Sequence, residues 1–226
     1  MIKLSSRLER IANYISDDSK IVDVGCDHGL LDIYLVQRRN HIEVIASDVN
    51  EKALGNAKKN IKKYHLEDQI TTVLSNGLDS IEMQDVDTIV IAGMGSHTIA
   101  GILYSNLKKL KRVKRLVLQS NNDLDFLRYK VTKIGYYIAN EELVKDAGII
   151  YTIIEFQKGY RFYSKKQLYF GPCLLKENNK LFQEKCRIEL KKMEQFYPMI
   201  PKNHYHHRRN IRWKIKTLKK ILDKKS

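Results

Sequence analysis

Cys26, Asp27 and His28 stand side by side in IVDVGCDHGLL, residues 21–31, between Gly25 and Gly29. Side chains of these types could bind a metal, perform nucleophilic or acid–base chemistry, or line a turn that cradles a cofactor. Consecutive residues in a tight turn rarely converge on one ion, and no partner motif occurs elsewhere, so no metal is expected. No general base is evident beside Cys26, which reads as a small packed residue rather than a nucleophile. The cradle depends on what precedes and follows the turn.

What precedes it, IVDV (21–24), has the apolar character of a buried strand, and LLDIYLVQRR after it has that of a helix. The alternation continues. Strands are predicted at IEVIASD (42–48), ITTVLS (70–75), DTIVIAG (87–93) and RLVLQS (115–120). Helices are predicted at EKALGNAKKNIKKY, HTIAGILYSNLKKL and DLDFLRYKVTKIG, and a first helix at Leu4, Leu8, Ile11, Ala12 and Ile15. GYYIANEELV and GIIYTIIEFQ follow with no helix between them, so a terminal antiparallel hairpin should turn near Asp146-Ala147-Gly148. Strands alternating with helices give an α/β fold with a parallel, doubly wound sheet.

In such a sheet ligands bind beyond the carboxyl ends of the strands, where the strand order reverses. Asp23 to Gly29 ends the first strand, and the next helix aims its amides at that point. Asp48 ends the second strand about 20 residues on, where a carboxylate can accept from two ribose hydroxyls. The spacing describes a site for an adenosine-containing cofactor. It lacks GxGxxG, which weakens NAD, and GxxxxGK[ST], which weakens ATP or GTP.

DVGCDHG (23–29) resembles DxGxGxG, the first motif of class I S-adenosylmethionine methyltransferases, with Asp27 in place of the middle glycine. DVGCDHGLL, SDVN (47–50), NGL (76–78), IAGMGS (91–96) and LQSN (118–121) together resemble the bacterial TrmK family, tRNA (adenine-22-N1)-methyltransferases, over essentially the whole chain. Ser120 stands where that family has proline, and Asn76 where an acidic residue is expected. The resemblance implies a Rossmann-like core that binds S-adenosylmethionine, releases S-adenosylhomocysteine and needs no metal. It places the cofactor against Asp23, Gly25, Cys26, Asp27, His28, Gly29, Asp48, Val49, Asn76, Gly77, Ala92, Gly93 and Met94. Its substrate would be tRNA and its product 1-methyladenosine.

Adenine N1 carries a lone pair and no proton, so the enzyme needs alignment and exclusion of water more than a strong base. The product ring is cationic, and nearby carbonyls or a carboxylate would stabilise it. Ala92-Gly93-Met94-Gly95 occupies the place of [ND]PP[YFW], the signature of exocyclic adenine methylation. Several roles stay open. His28 either faces the target base or caps the following helix. Met94 packs on a base or in the core. Gln119 and Asn121 either read the Watson–Crick edge as catalytic-site residues or tie their loop together.

The charge is unevenly placed. The chain has 226 residues and a net charge of +15, and residues 159–226 hold 19 Lys/Arg against 5 Asp/Glu. That segment has apolar residues at helical spacing on either side of FYPMIPKN, which suggests an antiparallel, coiled-coil-like helix pair. We therefore expect a methyltransferase domain at 1–158 and a basic tRNA-binding domain at 159–226. The run 108–115, KKLKRVKR, is either a second RNA contact or a solvated loop. Three cysteines without a CxxC pair, no signal peptide and no apolar membrane span point to the cytoplasm, with no membrane and no protein partner implied. Two other readings stay open: a methyltransferase for another RNA site or a small molecule, and a non-catalytic RNA-binding protein.

Overall fold

A computed structural model of the chain describes residues 2–223. Its contacts divide the chain into two compact units, Met1–Cys173 and Leu174–Ser226.

The first unit is built on a seven-stranded sheet of order β3-β2-β1-β4-β5-β7-β6. The parallel strands are β1 (Lys20–Val24), β2 (Glu43–Asp48), β3 (Ile70–Leu74), β4 (Thr88–Met94) and β5 (Arg115–Ser120). β6 (Tyr136–Asp146) and β7 (Ile149–Lys158) form the expected antiparallel hairpin, with Ala147 and Gly148 at positive φ in its turn. Alternation along the central strands assigns side chains to two cores. Ile21, Val44, Val90 and Val117 join one face with α1 (Ser6–Ala12), α2 (Leu30–Arg38) and α3 (Glu51–Lys63). Val22, Val24, Ile89, Ile91, Leu116 and Leu118 join the other with α4 (Ser96–Ser105) and α5 (Leu124–Lys133). β1 pairs with both β2 and β4, so the crevice where strand order reverses opens beyond its carboxyl end.

Two boundaries differ from expectation. α4 ends at Ser105 instead of running through Leu110, because the Asn106 side chain turns back to the Ile102 carbonyl and to Asp79. A short 3-10 turn at Lys109–Lys111 follows. There Lys109 Nζ donates to the Leu78, Asp79 and Ile81 carbonyls, so one lysine of the basic run is tied to a loop of the core.

The first unit also continues past residue 158. α6 (Lys165–Phe170) starts at a Ser164–Gln167 capping box and packs against α5. Arg128 on α5 is buried, meets Glu141 on β6 at 2.6 Å, and donates to the carbonyls of Leu168 and Tyr169. The second Glu141 oxygen accepts from the Cys173 amide at 3.0 Å. A buried ion pair must have its remaining hydrogen-bonding capacity satisfied, and residues 168–173 do that here. The division after Cys173, rather than after residue 158, follows from this.

The second unit contains α8 (Lys180–Phe196) and α9 (Tyr205–Leu222), with a 3-10 turn at Tyr197–Met199 between them. α7 (Pro172–Glu177) leads into it. Phe182 and Cys186 on α8 and Ile211, Leu218 and Ile221 on α9 are buried, and the two helices contact each other. Arg208 donates to the Ile200 carbonyl, Arg212 donates to the Tyr197 hydroxyl, and Lys219 pairs with Glu194. The helix pair therefore has the form the spacing predicted. Among the described residues no helix is long and apolar enough to cross a membrane.

Replacing Arg128 with leucine would leave Glu141 buried without its charge partner. Thermal or chemical denaturation should show a loss of about 3–5 kcal/mol, and Arg128→Leu/Glu141→Leu should recover much of it. A chain cut after Cys173 should unfold at a higher temperature than one cut after Lys158.

Candidate active site

The turn after β1 is held by convergence. The amides of Gly25 and Cys26 both donate to the Ser47 carbonyl, at 2.8 and 2.9 Å, and Ser47 Oγ donates back to the Asp23 carbonyl. Gly25 has φ +81°, and a Cβ there would lie 2.4 Å from Met94 Cε. Met94 from β4 therefore packs directly on the β1 turn, and any larger residue at position 25 would have to displace the end of Met94 and hold a left-handed φ. Asp27 is also left-handed, which aims its amide at Asp48 Oδ2, 3.2 Å away. Asp48 Oδ1 accepts from the Asn50 amide at 2.8 Å. The carboxylate at the end of β2 is thus oriented by the backbone on both sides.

β4 ends in a bulge. Ala92 pairs with Gln119 and Met94 with Ser120, which leaves Gly93 extra, exposed and at φ +80°. Gln119 Oε1 accepts from the Gly93 amide at 3.1 Å, and Asn121 Nδ2 donates to the Gly93 carbonyl at 2.8 Å. A third bond joins Gln119 to Asn121. Gln119 is fully buried, so of its two open roles the structure supports tying the loop. Asn121 is exposed but is likewise engaged with the bulge. Ser120 Oγ lies 3.2 Å from the Met94 carbonyl and 3.0 Å from that of Asn122, and so fastens the turn without a proline.

A cavity of about 590 Å³ opens at these strand ends. Asp23, Gly25, Cys26, Asp27, His28, Asp48, Val49, Asn76, Gly77, Ala92, Gly93 and Met94 line it. Gly29 does not line it. It is the left-handed N-cap of α2 and makes no side-chain cap. His28 does not cap that helix either. Its side chain is half exposed with Nε2 3.6 Å from Asp27 Oδ1, and its carbonyl accepts from Asn60. Burial, with the nearby aspartates, pushes the Cys26 thiol far up, which leaves it a poor nucleophile. Among the described residues no group of three or more His, Cys, Asp or Glu side chains could hold a metal ion.

Sequence reasoning predicts the first helix, α1, but not that its side chains reach the site. Arg7 and Leu8 line the cavity, and Arg7 is the one lysine or arginine in its wall among the described residues. Its guanidinium donates to Gln119 Oε1 at 2.5 Å and lies 5.4 Å from the Tyr151 ring. Nothing local in LSSRLERIA signals this, since it follows from long-range packing of α1 against the hairpin.

Asp32 was also missed. It lies on α2 next to Asp23, is fully buried, and neither carboxyl oxygen meets a donor in hydrogen-bond geometry. Burial, then the adjacent Asp23 charge, holds the Asp32 carboxyl well above the usual range. Asp23 is pushed up to about 7, chiefly by burial and further by Asp48, against a lowering hydrogen bond with Asp32. A protonated Asp32 donating to Asp23 satisfies both groups, because one proton removes the repulsion and supplies the missing donor.

A model of the TrmK family, described as tRNA (adenine(22)-N(1))-methyltransferase, matches residues 21–220. The Bacillus subtilis enzyme of that description is 31% identical over 88% of this chain and 86% of its own. A Streptococcus pneumoniae structure, a putative tRNA (m1A22) methyltransferase in complex with S-adenosyl-L-methionine, is 37% identical with a TM-score of 0.88. The alignment covers 98% of this chain and all of that one. The structure of M. capricolum TrmK in complex with S-adenosyl-homocysteine is 30% identical over 97% of this chain and 98% of its own, with a TM-score of 0.85.

Raised carboxyl pKa values make the folded chain hold protons that the unfolded chain has lost. The stability contributed by Asp23 is therefore full below about pH 4 and falls as pH rises through about 7, and Asp32 acts in the same direction. Asp32→Asn removes one buried acid and keeps a donor for Asp23. Between pH 5 and 8.5 its melting temperature should fall less than that of the parent, and near pH 8 it should exceed the parent by about 2–4 °C. Parallel melting curves for the two proteins would refute the shared proton.

Proposed function

The chain belongs to the TrmK family of tRNA (adenine(22)-N(1))-methyltransferases, and from that premise we propose how its residues carry the reaction. The enzyme transfers a methyl group from S-adenosylmethionine to N1 of adenine 22 in tRNA. The cofactor supplies a methyl on a positively charged sulfur. The N1 lone pair forms the new N–C bond as the S–C bond breaks, the sulfur keeps that electron pair, and the positive charge passes to the ring.

The observation that carries the residue assignment is the Asp48 carboxylate, fixed by two amides in the cavity that also holds the Gly93 bulge. Its free lone pairs suit the two ribose hydroxyls. Asn76 donates through Nδ2 to Asp79, which leaves Oδ1 to accept from an exocyclic amine such as that of the cofactor adenine. Asp23, once ionised, accepts from the ammonium of the methionine end, and Arg7 offers its free donors to the carboxylate there. Gly25, Gly29 and the backbone of Cys26 shape the turn around it, and Val49 and Gly77 border the adenosine end. Met94, Leu8 and Ile102 exclude water from the line of attack.

His28 and Asp27 stand on the exposed side of the cavity, where the base must arrive. In this reading His28 contacts the adenine, and the Asp27 carboxylate stabilises the cationic ring. Gln119 and Asn121 act on the reaction through Gly93, whose position they fix. The basic helical segment 159–226, with its compact part beginning at Leu174, holds the tRNA by its phosphates. The place of action is then the cytoplasm, where tRNA and cofactor meet.

Asp48→Ala should weaken S-adenosylmethionine binding by about 1.5–3 kcal/mol in calorimetry; unchanged affinity would take Asp48 out of the site. The activity itself is tested by single-turnover methylation of transcripts with adenine or guanine at position 22, followed by nucleoside mass spectrometry. Adenine transcripts should yield 1-methyladenosine and guanine transcripts nothing. His28→Ala should slow methyl transfer more than it weakens cofactor binding, and equal losses in both would remove it from the base.

A further inference from the structure

His97 and Phe126 form a stack beside the cavity that the cofactor site does not use. His97 lies in the first turn of α4 and Phe126 in the first turn of α5. Their centroids are 4.0 Å apart at 24°. The neighbouring Thr98 lines the cavity, and Asn122 Oδ1 accepts from the Ser96 amide, so the two helix starts are fixed to each other at the mouth. His97 is exposed while Phe126 is half buried, so the imidazole presents a free face to solvent with a ring supporting it from behind. Lys130 lies one turn along α5, its Nζ 4.5 Å from the Tyr104 ring and 5.7 Å from Phe126. An exposed aromatic face flanked by a cation suits a nucleobase and its phosphate.

We propose that the outer face of His97 stacks on the nucleotide next to the target adenine while that adenine occupies the active site. The proposal rests on the reaction assigned above. N1 lies on the pairing edge, so the adenine must be unpaired and drawn out before it reacts. Its neighbour then loses a stacking partner, and a ring at the mouth replaces it. Lys130, partly exposed beside the stack, meets the adjoining phosphate. The most exposed aromatics, Tyr160 and Phe162, are poorly placed for this. They follow β7 at the end of the sheet where Arg115 begins β5, opposite the strand ends that carry the cavity. His97 acts here as a positioning residue, because it touches neither the methyl nor N1.

The test compares the full-length chain with His97→Ala and His97→Phe. For His97→Ala the KM for tRNA should rise by about ten-fold, with kcat, cofactor affinity and melting temperature near those of the parent. His97→Phe should restore KM, because stacking needs a ring and not a proton. Failure of His97→Phe to restore KM, or an unchanged KM in His97→Ala, would overturn the proposal. A second readout is 2-aminopurine placed in turn on each side of the target. At one of the two positions it should stay quenched in the parent complex and brighten with His97→Ala. Equal brightness with both proteins at both positions would also overturn it. Failure of the underlying reaction would be separate and visible, since the parent chain itself would leave the tRNA unmethylated.

Discussion

Two amides, those of Gly25 and Cys26, share one acceptor, the Ser47 carbonyl, and the site depends on that convergence. It bends the chain out of β1 immediately after Val24 and ties the bend to β2. The left-handed Asp27 that follows can then reach Asp48, so two loops far apart in sequence come to hold one carboxylate. Met94 closes the arrangement from β4 by occupying the volume a side chain at position 25 would need. Three neighbouring strands thus meet at one point through a carbonyl, a carboxylate and a thioether.

The fifth strand contributes differently. Gln119 and Asn121 are polar residues at a strand end beside a site that handles a nucleobase, which made base reading attractive. Their bonds go instead to the amide and carbonyl of Gly93. A bulged glycine exposes backbone groups that would otherwise be mobile or unsatisfied, and two side-chain amides fix both of them. In the proposed reaction, rigidity at that point would serve alignment, the main need of a nucleophile that loses no proton.

Much of this was legible in the sequence because it is local. Alternation of apolar runs gave the sheet, and glycines with acidic strand ends marked the crevice, since turn geometry and strand termini leave residue-level traces. What was not legible is non-local. Arg7 reaches the cavity only because α1 packs on the hairpin. Asp32 looked like an ordinary polar residue in an amphipathic helix, and its burial against Asp23 depends on how α2 lies on the sheet. The end of the first unit was misplaced for a related reason. The change in charge begins before residue 165, but Arg128 and Glu141 require backbone partners from 168–173.

That last feature bears on how the protein is made. The sheet and all its strands have been translated by Lys158, yet the buried arginine lacks its carbonyl partners until Leu168 and Tyr169 have emerged from the ribosome. The core therefore completes late, while the basic helices are still being synthesised. At about 5–20 residues per second, the stretch from Lys158 to Tyr169 adds roughly a second during which Arg128 and Glu141 wait for those carbonyls. Because every partner of that ion pair comes from residues up to Cys173, its closure does not wait for α8 and α9.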